Sequence, residues 1–179
     1  MSAAFGAGIK RNFSQAKVIY DKFHVSQLVQ KAFDKVRKSV ARKAQKRLNK
    51  WIFLKDPQSL SSEQAAQLDQ LLHEYPILDK AYQMKNSFKL LWEQPNKEKG
   101  SAFLCFWTDC IKELHQKAFY KLAKTLNKFH QGIIQVFDSR LTNARLEGLN
   151  SIIQTMKRNA RGYKDVENLK ILIRLHCIN

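Results

Sequence analysis

Between Thr142 and Tyr163 one carboxylate, Glu147, sits among amides on a stretch that ends in bases. At 3.6 residues per turn, Asn143, Glu147, Asn150, Gln154, Lys157 and Arg161 share one helix face, while Leu146, Leu149, Ile153 and Met156 fall on the other. The carboxylate could hold a divalent metal ion and the basic end could hold phosphates, the two ingredients of phosphodiester chemistry. The plainer alternative is a solvated helix face. Asp21 and His24 form a D-x-x-H pair near the other end of the chain; taken singly, Asp21 could be a helix cap and His24 a packed core histidine. A third candidate is the run from 31 to 50, where Lys31, Lys35, Arg37, Lys38, Arg42, Lys43, Lys46, Arg47 and Lys50 face a single acid, Asp34. Such a one-sided run can track a phosphate backbone, although long helices also carry bases for solubility; DNA contact is the preferred reading.

Something must position these groups, and the bulk properties permit a folded domain. The chain has 179 residues, 44% of them hydrophobic, enough for one substantial core. Lysine and arginine number 32 against 15 acids, a net charge of +17, which points to a polyanionic partner: nucleic acid first, an anionic membrane surface second. No segment approaches the roughly 20 apolar residues of a spanning helix. Residues 1–10 lack the order of a signal peptide, so an intracellular, cytoplasmic protein is expected, nucleoid-associated if it is bound to DNA. Cys105, Cys110 and Cys177 have no zinc spacing and imply no disulfide framework; they read as buried thiols. The five histidines are scattered, and no Gly-rich phosphate loop or nucleophile elbow appears.

The expected elements are mainly helical. Residues 2–13 could form a short helix, and 17–21, with Val18, Ile19 and Tyr20, read as the one convincing strand. Apolar residues at helical spacing from Val25 to Leu48 predict one helix from about His24 to Lys50. Trp51–Leu54 either closes that helix or forms an extended link, and Asp56-Pro57 breaks the chain. Ser61 to Gln64 reads as a capping box, with Leu68, Leu71 and Leu72 inward, and Pro76 starts the next helix. Leu78, Ala81, Met84 or Lys85, Phe88, Leu91 and Trp92 continue the apolar pattern to a polar loop at 93–96. Phe103, Phe106, Trp107, Ile111 and Leu114 form an aromatic stripe read as core rather than as a base-stacking platform. The helical pattern then runs to Phe129 with an interruption around Gly132, a helix over 143–158, and a last element near 165–176 read as helix.

The order of a strand ending in D-x-x-H, a long helical block, then N-x-x-x-E-G-x-N with Lys157-Arg158 and Arg161-Gly162-Tyr163, resembles the DDE transposases of bacterial insertion sequences, specifically the ISL3 family. The resemblance covers essentially the whole chain. Asp21-Lys22-Phe23-His24 is similar to the family's D-x-F-H segment, and Asn143 to Asn150 to the segment with its catalytic glutamate. It implies the C-terminal part of an RNase H-like domain: residues 1–23 a remnant of the core, 24–130 a helical insertion, 131–179 the C-terminal helices. In such enzymes two aspartates and a glutamate hold divalent ions, Mg2+ or Mn2+, that activate water or a 3′-hydroxyl. Glu147 matches the glutamate, with Asn143 and Asn150 on its supporting face. The DNA contacts would be Lys31, Lys35, Lys38, Arg42, Lys46, Lys157, Arg158 and Arg161.

The family's first aspartate lies on a strand well upstream, and the second stands just before a Met-Ser-like helix start that Met1-Ser2 matches. Asp21 is therefore taken as the D-x-x-H aspartate, not the second catalytic one. With two carboxylates outside the sequence, Glu147 alone should bind a metal ion poorly, and the expectation is a truncated transposase fragment, inactive alone. Its partners would be transposon ends and target DNA, with room for a homo-oligomer and no membrane. The competing reading is a non-catalytic, basic helical nucleic-acid-binding protein; a membrane-surface protein is the third.

Overall fold

The computed structural model describes residues 8–9, 11–13, 15–138, 151–156, 158, 167–168 and 170–171, and all regular structure among them is helical. The chain divides into two compact units, Met1–Arg140 and Leu141–Asn179. In the first unit the longest helix, α1 (Lys22–Lys43), starts where Asp21 accepts hydrogen bonds from the backbone N–H groups of Phe23 (2.6 Å) and His24 (3.3 Å). These bonds satisfy donors that have no partner inside the helix. Arg42 and Lys43 lie in its last turn, where cations complement the helix dipole.

Val25, Val29, Ala32, Phe33, Val36 and Val40 form the buried stripe of α1. It packs between α4 (Pro76–Ser87) and α6 (Lys117–Lys128). Between them in sequence come α2 (Lys50–Leu54), α3 (Ser62–Glu74) and α5 (Lys97–Glu113), with α7 (His130–Ile134) after α6. The capping box that opens α3 is formed in both directions, Ser61 with Gln64, and Pro76 occupies the first turn of α4. Leu68 is buried with Leu71 and Leu72 half-buried. Past Ser87 the chain tightens into a 3-10 turn, Phe88–Glu93. Trp107 is the largest wholly enclosed side chain; its Nε1–H donates to the Met84 carbonyl and the Ser87 hydroxyl.

Several expectations need correction. Residues 17–21 are not a strand: among the described residues they join no ladder, and Tyr20 N–H donates to the Gly132 carbonyl at 3.0 Å. A lone β-branched run forms a strand only beside a partner. The helix expected from 24 to 50 ends at Lys43, because past its cap Ala44 the chain turns at Gln45 with a left-handed φ of 53°, and a separate helix begins only at Lys50. Asn49 then caps α2, which buries Ile52 and Phe53. The interruption expected at Gly132 falls at Phe129, and Gly132 lies inside α7. In the aromatic stripe Trp107 and Ile111 are core, but Phe106 is 69% exposed, and Leu104 takes the buried place. Cys105 is exposed and Cys110 half-buried, contrary to buried thiols; Cys177 lies outside the described residues.

Lys85 was placed with the apolar face of α4, and its stem does turn inward. Its Nζ donates to the Phe53 carbonyl and lies 4.4 Å from the Tyr82 ring centroid. Burial lowers its pKa from 10.5 to about 8, against an upward pull from Asp56. Between those values the unfolded chain holds the proton and the folded chain has lost it, so this group adds stability as pH rises through the window. The unfolding free energy of the wild type relative to Lys85→Met should therefore climb between about pH 8 and 10.5, by an amount on the order of 2 kcal/mol after solvent screening. A gap independent of pH would refute the buried, depressed amine.

In the second unit Ser151–Met156 and Arg158 are helical, with Ile153 and Met156 half-buried and Gln154 exposed, as the face assignment requires. Glu167, Asn168, Lys170 and Ile171 are helical as well, which agrees with the helical reading of the last element.

Candidate nucleic-acid interface

On α1 the four bases Lys31, Lys35, Lys38 and Arg42 follow one another at steps of four, three and four residues. At about 100° per residue they fall within roughly 60° of arc, well away from the buried valine stripe. All four are exposed. Among the described residues Lys31, Lys35 and Arg42 make no salt bridge, whereas Lys38 reaches Asp34 at 2.9 Å. Toward α2, Lys31, Lys35 and Lys38 line a groove of about 400 Å³ together with Lys50.

Asp34 is the only acid on that groove. Burial alone would push its carboxyl up, but hydrogen bonds from Lys38 and Arg37 outweigh this and its pKa lies below the ordinary value. Its charge is thus locally neutralised, and the groove stays positive. Arg37 belongs to the same basic run in sequence yet is buried. Its guanidinium donates twice to Asp34 and once to the Leu48 carbonyl at 2.6 Å. It holds the turn after α1 rather than facing solvent. Lys46, beyond the end of α1, is exposed and pairs with Glu74 at 2.6 Å, a contact that raises the lysine's pKa and lowers the glutamate's through their hydrogen bond.

The D-x-x-H pair is placed by a different device. Residues 18–20 lie on α7, where the Tyr20 ring packs edge-on to Phe129 at 5.2 Å. A Cβ on Gly132 would come within 2.6 Å of the Tyr20 ring, so glycine is what lets the segment lie this close. Asp21 is the N-cap of α1, the structural role weighed for it in the sequence, while His24 is exposed and is no core histidine. Glu147, Asn143, Asn150, Lys157 and Arg161 lie outside the described residues. Arg158 is within them, exposed, and donates to Thr155 Oγ1 at 3.3 Å. The described residues hold no group of three His, Cys, Asp or Glu side chains that could bind a metal ion.

Sequence reasoning passed over a second set of bases. Lys117, Lys121, Lys124 and Lys128 repeat on α6 the same four-three-four spacing, all exposed, with no acid anywhere in the helix. The apolar pattern running to Phe129 is the stronger sequence signal there, and Leu122 and Leu126 are buried as it requires, with Phe129 half-buried. The absence of acids over these twelve residues was the available signal.

A family model described as transposase, of the ISL3 DDE type, matches residues 1–173. The chain is 26% identical over 183 residues to the transposase for insertion sequence element IS1001 of Bordetella parapertussis. That alignment takes in 97% of the chain and 45% of the relative, so the chain spans about half the relative's length. No solved structure matches.

Proposed function

Because the chain belongs to the ISL3-type family of DDE transposases, we propose that it provides the glutamate and part of the DNA-holding surface of a metal-dependent strand-cleavage and strand-transfer enzyme. The observation that carries this is the family match over residues 1–173, which takes in both the D-x-x-H segment and Glu147. Glu147 is the proposed metal ligand, with Asn143 and Asn150 beside it, and Asp21 and His24 set the start of α1 rather than bind the ion. The capping role of Asp21 supports that division, since its Oδ1 accepts from the Phe23 and His24 amides. An RNase H-like core with residues 24–130 as its helical insertion is the architecture proposed for the longer enzyme.

Glu147 is a hard oxygen donor of the kind such an ion takes, and the family resemblance assigns the remaining ligands to two aspartates that precede the D-x-x-H segment. When bound, such an ion would lower the pKa of a water or hydroxyl nucleophile and stabilise the leaving oxygen. Beside Glu147, this chain's contribution is electrostatic: Lys31, Lys35, Lys38, Arg42, Lys46 and Arg158 hold phosphates, with Lys157 and Arg161 in the same role.

The test is a chimera in which residues 1–173 replace the matching part of the Bordetella relative, assayed for magnesium-dependent cleavage of that element's terminal repeats. Cleavage by the chimera is expected. An inert chimera that folds and binds the repeats would sink the catalytic assignment and leave the purely DNA-binding alternative.

A further inference from the structure

Lys35 lines two grooves at once. Toward α2 it joins the groove with Lys31, Lys38 and Lys50. Toward α6 it faces Lys117 and Lys121 across a second groove of about 260 Å³, which also includes Ser39. The two grooves share this residue, which stands between them on α1. Six lysines line the combined path, and its single acid, Asp34, is held by Arg37 and Lys38.

We propose that this trough, running from α2 over α1 to α6, is one continuous seat for the sugar-phosphate backbone of duplex DNA, so that α6 is a DNA-contacting helix alongside α1. The proposal rests on the DNA-binding reading above and extends it to residues outside the 31–50 run. The occupant follows from charge complementarity: an elongated, unbranched lysine path without uncompensated acids matches an evenly charged polymer better than a compact anion. Ser39, within the second groove, adds a neutral hydroxyl of the kind that donates to phosphate oxygens. Lysine side chains carry no base-reading fork geometry, so the contact is with backbone and is indifferent to sequence.

The experiment measures the affinity of the full chain for a duplex of mixed sequence against salt concentration. Each neutralised phosphate contributes about 0.9 to the slope of log affinity against log salt. The variant Lys117→Gln/Lys121→Gln should flatten the slope by roughly two and weaken binding about tenfold at moderate salt. Lys117→Arg/Lys121→Arg should keep the wild-type slope. Lys80→Gln/Lys89→Gln removes the same charge from exposed sites that line neither groove and should leave the slope close to wild type. Because Lys117 and Lys121 are exposed, helical content and melting temperature should not change, and both are recorded.

An unchanged slope in the α6 variant, with loss in Lys31→Gln/Lys35→Gln, overturns the trough and leaves the α1 reading standing. Equal flattening in the α6 variant and the Lys80/Lys89 control overturns it too, since net charge alone would then account for the effect. Failure of the wild type to bind duplex, or retention on phosphatidylserine vesicles in preference to DNA, overturns the DNA reading itself and the trough with it.

Discussion

Exchange of Glu147 for glutamine in the chimera is expected to reduce metal-dependent strand cleavage by about a hundredfold or more while leaving DNA binding intact. Glutamine preserves the side chain's length and its capacity to accept a hydrogen bond, and removes only the charge. A small hard cation such as Mg2+ takes oxygen ligands and draws most of its affinity from anionic ones, so neutralising one carboxylate of three is a severe loss. Deleting a group that stabilises developing charge typically costs a factor of 10² to 10³. The separation between cleavage and binding is what makes the result specific. With divalent metal chelated, loss of an acid near a polyanion can only favour association, so weakened metal-free DNA binding by Glu147→Gln would indicate a structural defect, and undiminished cleavage with metal would show that another group is the ligand.

How far these features could be read in advance depended on whether their cause was local. Ser61 with Gln64 and Pro76 specify helix starts through contacts within four residues, and both stand where the pattern put them. Asp21 as an N-cap is of the same kind. The end of α1 is not, because Ala44, Gln45, Lys46 and Arg47 are all good helix formers and contain neither glycine nor proline. What bends the chain there is distant. Leu48, 4% exposed, is drawn into the core, and its carbonyl is taken by Arg37, eleven residues earlier. Gln45 adopts a left-handed conformation that its own side chain disfavours, a cost that the surrounding packing must offset.

Residues 17–21 failed as a strand for a related reason. Val18, Ile19 and Tyr20 have strand propensity, but their surroundings consist of a helix, and the Tyr20 amide turns to the carbonyl of Gly132. The bases show the same limit from another side. Charge in a row is visible in sequence, yet Arg37 and Lys35, two residues apart, have opposite fates, and only the fold separates a structural guanidinium from a solvent-facing ammonium. The pairing of the α1 and α6 stripes, each legible alone, became visible only when those two helices proved to be neighbours.

Arg37→Met is expected to lower stability by about 2–4 kcal/mol, against less than about 0.5 kcal/mol for Lys35→Met, although both remove one positive charge from the same basic run. Methionine fills much of the volume, so the loss is polar. Asp34, its side chain only 16% exposed, would keep Lys38 alone as ion partner, and the Leu48 carbonyl would lose its donor beside a left-handed turn. Breaking one side of a buried pair leaves an uncompensated charge, which is why the single change costs more than the pair is worth. The double variant Arg37→Met/Asp34→Leu should therefore recover a large part of the loss. The pH dependence has a definite sign: the folded pKa of Asp34 is depressed, so its contribution is present at neutral pH and is lost as pH falls through the carboxylate range. In Arg37→Met that acid-induced loss should shrink. Urea unfolding of the three variants at neutral and acidic pH decides the matter. If Arg37→Met and Lys35→Met unfold together, the buried guanidinium is not what holds the turn between α1 and α2.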